Sequence, residues 1–140
     1  SGYKAVLDAA SAYGRAFPMM MTAAGTVPPA EVVVLGAGVA GLQAIATAKR
    51  LGAVVKAYDV RAAAAEEIQS MGAHAIDLEL DTLEGSGGYA REMTEDRAQR
   101  QMEALAPYIA NADALIRSCS ASVRSRNACA YPAVNAASTC

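Results

Sequence analysis

Residues 32–42 leave this chain little freedom of fold. Val32, Val33, Val34 and Leu35 read as a buried strand, and Gly36-Ala37-Gly38-Val39-Ala40-Gly41-Leu42 must turn that strand at once into a helix. The three glycines have separate mechanical tasks. Gly36 permits the tight turn, Gly38 lets backbone approach a pyrophosphate, and Gly41 lets the new helix lie close on the strand. A second apolar strand at 54–58 leads into Asp59, which stands about twenty residues after the turn and completes the dinucleotide-binding arrangement.

The helix that begins near Val39 presents unpaired N–H groups and the positive end of its dipole, so it attracts an anion without a lysine. A P-loop needs Gly-Lys-Ser/Thr here. The chain continues Gly41-Leu42-Gln43, which argues against a mononucleotide triphosphatase. From its strand end the Asp59 carboxylate accepts hydrogen bonds from ribose hydroxyls and repels a 2′-phosphate, favouring NAD over NADP. The plainer reading of Asp59 is an N-cap for a helix at 62–71. Arg61 pulls against that preference, because an arginine just beyond this strand accommodates a 2′-phosphate in NADP-binding versions of the fold. It is expected to face solvent or the adenosine edge, with the acid deciding the choice.

A length of 140 residues suits one domain, and a formal net charge of −2 offers no electrostatic footprint for nucleic acid or an acidic membrane surface. With no tryptophan and one phenylalanine, the core must come from small and aliphatic side chains packed closely. Residues 32–48 carry no charge, but their glycines fall where a strand must become a helix. The run is also short of the ~20 apolar residues that a membrane span needs. The chain opens on Ser1-Gly2-Tyr3, without an initiator methionine or a basic-then-apolar leader, and is expected to be an internal piece of a longer protein.

Tyr3, Val6, Leu7, Ala10, Tyr13 and Phe17 recur at helical spacing and predict an amphipathic helix over residues 1–17, ended by Pro18. Met19, Met20 and Met21 follow, expected as adaptable core packing rather than a ligand site. From Glu31 the pattern predicts strands at 32–35, 54–58 and 73–76, separated by helices at 39–51 and 62–71. Such alternation implies right-handed crossovers and a parallel sheet. Gly52 and Gly72 stand where left-handed helix C-caps are expected. A further helix, capped at Thr94, carries Ala98, Met102, Leu105 and Ile109 as its apolar stripe, with Pro107 breaking or kinking its last turn. A fourth strand at 114–116 then falls beside the first, giving the order 3-2-1-4 and a cofactor crevice at the reversal.

The fold class is therefore α/β, a partial Rossmann-type doubly wound sheet at 31–116, preceded by a linking helix and lead-in segment at 1–30. Residues 117–140 change character: Arg117, Arg124 and Arg126 are present but no acid, and Cys119, Cys129 and Cys140 lack metal-ligand or redox spacing. This tail is expected to be mostly unstructured. His74, the single histidine, is read as structural or surface, and no metal site or catalytic constellation is expected. The loop Gly85-Ser86-Gly87-Gly88-Tyr89-Ala90 is either a flap that closes on a cofactor or an ordinary connection.

Several long segments carry a specific resemblance: residues 18–30 around the methionine triplet, 36–53 around the glycine turn, Tyr58-Asp59-Val60-Arg61, and Gly87-Gly88-Tyr89-Ala90. Over residues 1 to 116 the chain resembles the NAD(H)-binding component, the alpha subunit, of the proton-translocating NAD(P) transhydrogenases. The resemblance implies hydride transfer between NADH here and NADP on a separate component, coupled to proton movement through a membrane component. It implies a homodimer, placed in the cytoplasm at the inner membrane through its partner subunits. The family's pyrophosphate turn falls on Gly36, Gly38 and Gly41, its ribose acid on Asp59 and its mobile-loop tyrosine on Tyr89. Val39, Ala40, Val60, Arg61 and Gly88 complete the cofactor contacts. After its fourth strand the family continues Thr-Ala-Leu-Ile-Pro-Gly, whereas this chain runs Ile116-Arg117-Ser118-Cys119, a departure read as a shifted reading frame. An alanine-dehydrogenase-like oxidoreductase and an inert NAD-binding module are the alternatives.

Overall fold

The computed structural model describes residues 1–78, 95–117 and 120–123. In chain order these form α1 (Gly2–Tyr13), β1 (Met20–Thr22), β2 (Gly25–Val27), β3 (Glu31–Leu35), α2 (Val39–Arg50), β4 (Val54–Tyr58), α3 (Ala64–Ser70), β5 (His74–Ala75), α4 (Glu95–Asn111), β6 (Ala114–Arg117) and β7 (Ser120–Val123). The main sheet has the order β5-β4-β3-β6-β7. Its first four strands are parallel, with Val33 beside Lys56 on one side and Leu115 on the other. This is the expected 3-2-1-4 winding of a Rossmann-type sheet.

Side-chain alternation along β3 builds a core on each face of the sheet. Val32 and Val34 pack with Ala44, Ile45 and Ala48 of α2 and with Ala64 and Ile68 of α3. Val33 points the other way, towards Leu105 and Ala112 at the far end of α4. Ile45 and Ile68 are fully buried, and each stabilises the fold by about 2 kcal/mol. The start of β6 is tied to the start of β3 by a reciprocal pair. Asp113 N–H donates to the Glu31 carbonyl at 2.8 Å, and Glu31 N–H donates to Asp113 Oδ2 at 3.0 Å. At the end of α2, Gly52 takes φ +85° and its Cα lies against Pro18, so both backbone conformation and space demand glycine there.

The N-terminal helix differs from its expected extent and face. It ends at Tyr13, where Gly14 adopts a left-handed φ of 66°, rather than running to Phe17. Its buried side is Gly2, Ala5, Val6 and Ala9, while Tyr3 and Leu7 are exposed. Small residues win this face because α1 packs closely on α2, and larger side chains would hold the two helices apart.

The methionine triplet is not core. Residues 19–21 are exposed, Met21 at 76%, because β1 and β2 pair as a separate two-stranded hairpin outside the main sheet. Pro107 lies inside α4 without ending it, since the loss of one N–H donor is offset by the packing of Leu105, Tyr108 and Ile109 around it. Met102 is 69% exposed and off the apolar stripe. The inward face of α4 is Gln101, Ala104, Leu105, Tyr108, Ile109 and Ala112, a more regular helical spacing than the one expected. In the segment expected to be mostly unstructured, Ser120–Val123 instead pairs antiparallel with β6, which satisfies the backbone of an otherwise open sheet edge. Thr94, Cys119, Cys129 and Cys140 lie outside the described residues.

Candidate functional site

At the carboxyl end of β3 the chain makes the turn that the three glycines require. Gly36 has φ +94°, a backbone state that other residues rarely adopt, and its N–H donates to the Tyr58 carbonyl at 2.8 Å, locking the turn to β4. Gly38 is the N-cap of α2 and supplies no side chain to its first turn. The first intrahelical bond runs from Leu42 N–H to the Gly38 carbonyl at 2.9 Å, so the N–H groups of Val39, Ala40 and Gly41 precede the helical ladder. A Cβ added at Gly38 would meet nothing within 4 Å, whereas one at Gly41 would overlap the Gly36 carbonyl oxygen. Gly38 therefore keeps space open outside the protein, and Gly41 keeps helix and turn together.

Asp59 follows β4 and reaches back to the same turn. Ala37 N–H donates to its Oδ2 at 2.6 Å, while the N–H and Nε of Arg61 donate to Oδ1 at 2.9 and 3.2 Å. Arg61 Nη2 also donates to the Ala37 carbonyl at 3.4 Å. Asp59 is thus no helix N-cap, since α3 begins later and is preceded by Ala63. Nor is Arg61 simply solvated: its half-exposed side chain is folded back onto the turn. A carboxylate offers about four acceptor directions, and three donors occupy Asp59. One direction remains for a hydroxyl arriving from the mouth.

Burial pushes the Asp59 carboxyl up, but the N–H groups of Arg61 and Ala37, with the Arg61 guanidinium, outweigh it and leave the pKa lowered. Because the folded value lies below the unfolded one, Asp59 stabilises the fold fully above the ordinary carboxylate pKa of about 3.9. That stabilisation is lost as pH falls further, through the folded value. The expected result is a stability gap between wild type and Asp59→Asn that is constant above about pH 5 and closes in more acid solution. Denaturant titrations across that range test it, and a gap that widened in acid would overturn the assignment.

Beside the turn lies a pocket of about 150 Å³, lined by Leu35, Gly36, Tyr58, Asp59, Val60, Gln101 and Leu105. Pockets for whole drug-sized ligands run on the order of 300–1,000 Å³, so this one has room for a single ring system next to the Asp59 carboxylate. Its walls are mostly apolar, with one amide from Gln101. Gln101 and Leu105 escaped the sequence-based expectation. Their signal was a polar residue set on the otherwise apolar inward stripe of α4, which no local motif marks.

The structure brings together Gly36, Gly38, Val39, Ala40, Gly41, Asp59, Val60 and Arg61 around one end of the sheet. Val39 is 91% exposed and Val60 51% exposed, an apolar rim on either side of the turn. Gly88 and Tyr89, with the rest of 79–94, lie outside the described residues. His74 is on the short edge strand β5 and exposed, away from these groups. Among the described residues no helix is long and apolar enough to cross a membrane.

Comparison with known proteins agrees with this geometry. Residues 5–130 match a family model described as alanine dehydrogenase/PNT, C-terminal domain. The chain is 56% identical over 119 residues to the first portion of the NAD(P) transhydrogenase subunit alpha of Rhodospirillum rubrum, covering 83% of this chain and 31% of that protein. It is 48% identical over 117 residues to "NAD(P) transhydrogenase subunit alpha" of Haemophilus influenzae, covering 83% of this chain and 23% of the relative. The crystal structure of transhydrogenase from Sinorhizobium meliloti superposes with a TM-score of 0.68 at 52% identity, over 84% of this chain and 30% of that one. The chain thus spans about a third or less of the length of these relatives.

Proposed function

Because this chain belongs to the alanine dehydrogenase/PNT C-terminal domain family, we propose that it forms the NAD(H)-binding part of a proton-translocating NAD(P) transhydrogenase. The observation that carries this reading is the joining of Gly36, Ala37, Asp59 and Arg61 into one hydrogen-bonded unit at the mouth of the sheet. In this reading the first-turn N–H groups at Val39, Ala40 and Gly41 bind the pyrophosphate, and the open space at Gly38 admits it. Asp59 accepts from an adenosine ribose hydroxyl. The pocket between Val60, Gln101 and Leu105 takes the adenine ring, and Gly88 and Tyr89 close over the cofactor.

The residues present fit such a group: uncapped donors face where the phosphates would lie, and the ring-sized pocket stands next to the acid. Bound NADH would supply the hydride, which passes to NADP held by a separate component. The chain's own residues then bind, orient and exclude water, because two nicotinamides exchange hydride without a protein nucleophile. In the intact assembly this part works as a homodimer, attached at the membrane through its NADP-binding and membrane-embedded partners.

NAD rather than NADP is expected because a 2′-phosphate would bring negative charge against Asp59, whose carboxyl is held in its ionised form. Arg61 does not offset this, being already engaged with that same carboxylate and the Ala37 carbonyl. Fluorescence titration should show NADH binding at least about tenfold more tightly than NADPH. In Asp59→Ala, NADH affinity should drop about 10- to 100-fold, as expected for a hydrogen bond to a charged group, and the preference should shrink. Tighter binding of NADPH by wild type would overturn the assignment. Hydride transfer from NADH to an NADP analogue, with the NADP-binding component added, separates a transhydrogenase component from an inert binding module.

A further inference from the structure

Gly2 lies buried in the first turn of α1, with its Cα pressed against the first turns of α2. A Cβ at Gly2 would overlap the Ala40 carbonyl oxygen, 2.9 Å from its carbon and 3.1 Å from the Ala44 nitrogen. Gly2 is not among the glycines with positive φ. What demands glycine here is the close approach of the two helices, not backbone conformation.

The contact falls at a particular place. Ala40 and Ala44 are an i, i+4 pair of α2, and Ala40 sits between Val39 and Gly41, whose N–H groups head the helix at the mouth of the site. Gly41, in the same turn, is pressed as closely on the Gly36 carbonyl. The donor-bearing turn is thus held by two backbone contacts, one from the β3–α2 turn and one from α1. Ala5, Val6 and Ala9 continue the buried face of α1 and pack in the same core as Ala44, Ile45 and Ala48, so α1 has no slack with which to absorb an added methyl group.

The geometry points to Gly2 as a positioning residue for the pyrophosphate of the bound dinucleotide: by fixing how closely α1 abuts Ala40, it sets where the Val39, Ala40 and Gly41 N–H groups point. This rests on the reading of the turn as a pyrophosphate site. Gly2 acts through Ala40 and touches no ligand. A methyl group at Gly2 must displace either α1 or the first turn of α2, and displacement of that turn misaims the donors.

The test compares ligands with and without the pyrophosphate. In Gly2→Ala of the full chain, affinity for NADH and ADP falls about tenfold, the equivalent of one charge-assisted hydrogen bond, while affinity for adenosine is unchanged. Ala9→Gly, which loosens α1 away from Ala40, lowers thermal stability but leaves all three affinities unchanged in the folded protein. Equal NADH and ADP affinity in Gly2→Ala and wild type, or a parallel loss of adenosine binding, overturns the inference alone. Wild type that binds neither NADH nor ADP overturns the dinucleotide reading, and this inference with it. Should Gly2→Ala fail to fold, amide spectra of wild type decide: the Gly2 signal shifts on adding ADP and not on adding adenosine. A Gly2 signal unmoved by ADP overturns the inference.

Discussion

Gly38→Val is expected to abolish NADH binding, weakening it by about 100-fold or more, while the thermal midpoint stays close to wild type. The two halves of this outcome come from the same local geometry. Gly38 has φ −70° and ψ −174°, ordinary extended backbone, so valine meets no conformational penalty there. A Cβ meets no protein atom within 4 Å. Losing glycine from the unfolded chain stabilises by about 0.4–1 kcal/mol, which roughly offsets the weaker N-cap. The added isopropyl group must therefore project into the space that the pyrophosphate needs to reach the first turn of α2. Paired thermal melts and NADH titrations read the two effects separately. Wild-type affinity in a folded Gly38→Val protein would mean that the phosphates lie elsewhere, and the assignment of the turn would fall with it.

That separation of binding from folding was not legible in the glycine spacing, which gives Gly38 and Gly41 similar standing. It needed the atoms around each Cα. The winding of the sheet was legible, because β3, β4 and β6 are short apolar runs and helical segments of crossover length separate them. Asp59 was also legible as the acid after β4, but its bond to Ala37 N–H was not, since the contact spans twenty-two residues. The face of α1 was misjudged for a physical reason. Apolar periodicity favours the bulkiest residues, Tyr3 and Leu7, whereas a close helix crossing selects small ones, Gly2, Ala5 and Ala9. The methionine triplet misled in the opposite way, because composition reads an apolar run as core even where a short hairpin carries it outside the sheet.

Gly41→Ala should do the reverse of Gly38→Val and lower stability and NADH affinity together. Helix propensity alone favours alanine over glycine by about 1 kcal/mol. Here that gain is overridden, since the new Cβ overlaps the Gly36 carbonyl oxygen and lies 2.9 Å from its carbon. The Gly36 carbonyl cannot retreat without disturbing the bond from Gly36 N–H to the Tyr58 carbonyl, or the φ of +94° that forms the turn. Nor can α2 slide outward easily, because Ala44, Ile45 and Ala48 are fully buried against the sheet and Gly2 blocks the first turn at Ala40. Overpacking of this kind costs about 1–3 kcal/mol or more, a large share of the 5–15 kcal/mol that holds a typical domain together. The melting temperature should drop by roughly 5–10 °C for a chain of this size. NADH affinity should fall about tenfold, as the first-turn donors move with α2. A Gly41→Ala protein that melts with wild type would show that α2 has freedom to recede, and would remove the two-sided clamp on which the roles of Gly41 and Gly2 both depend.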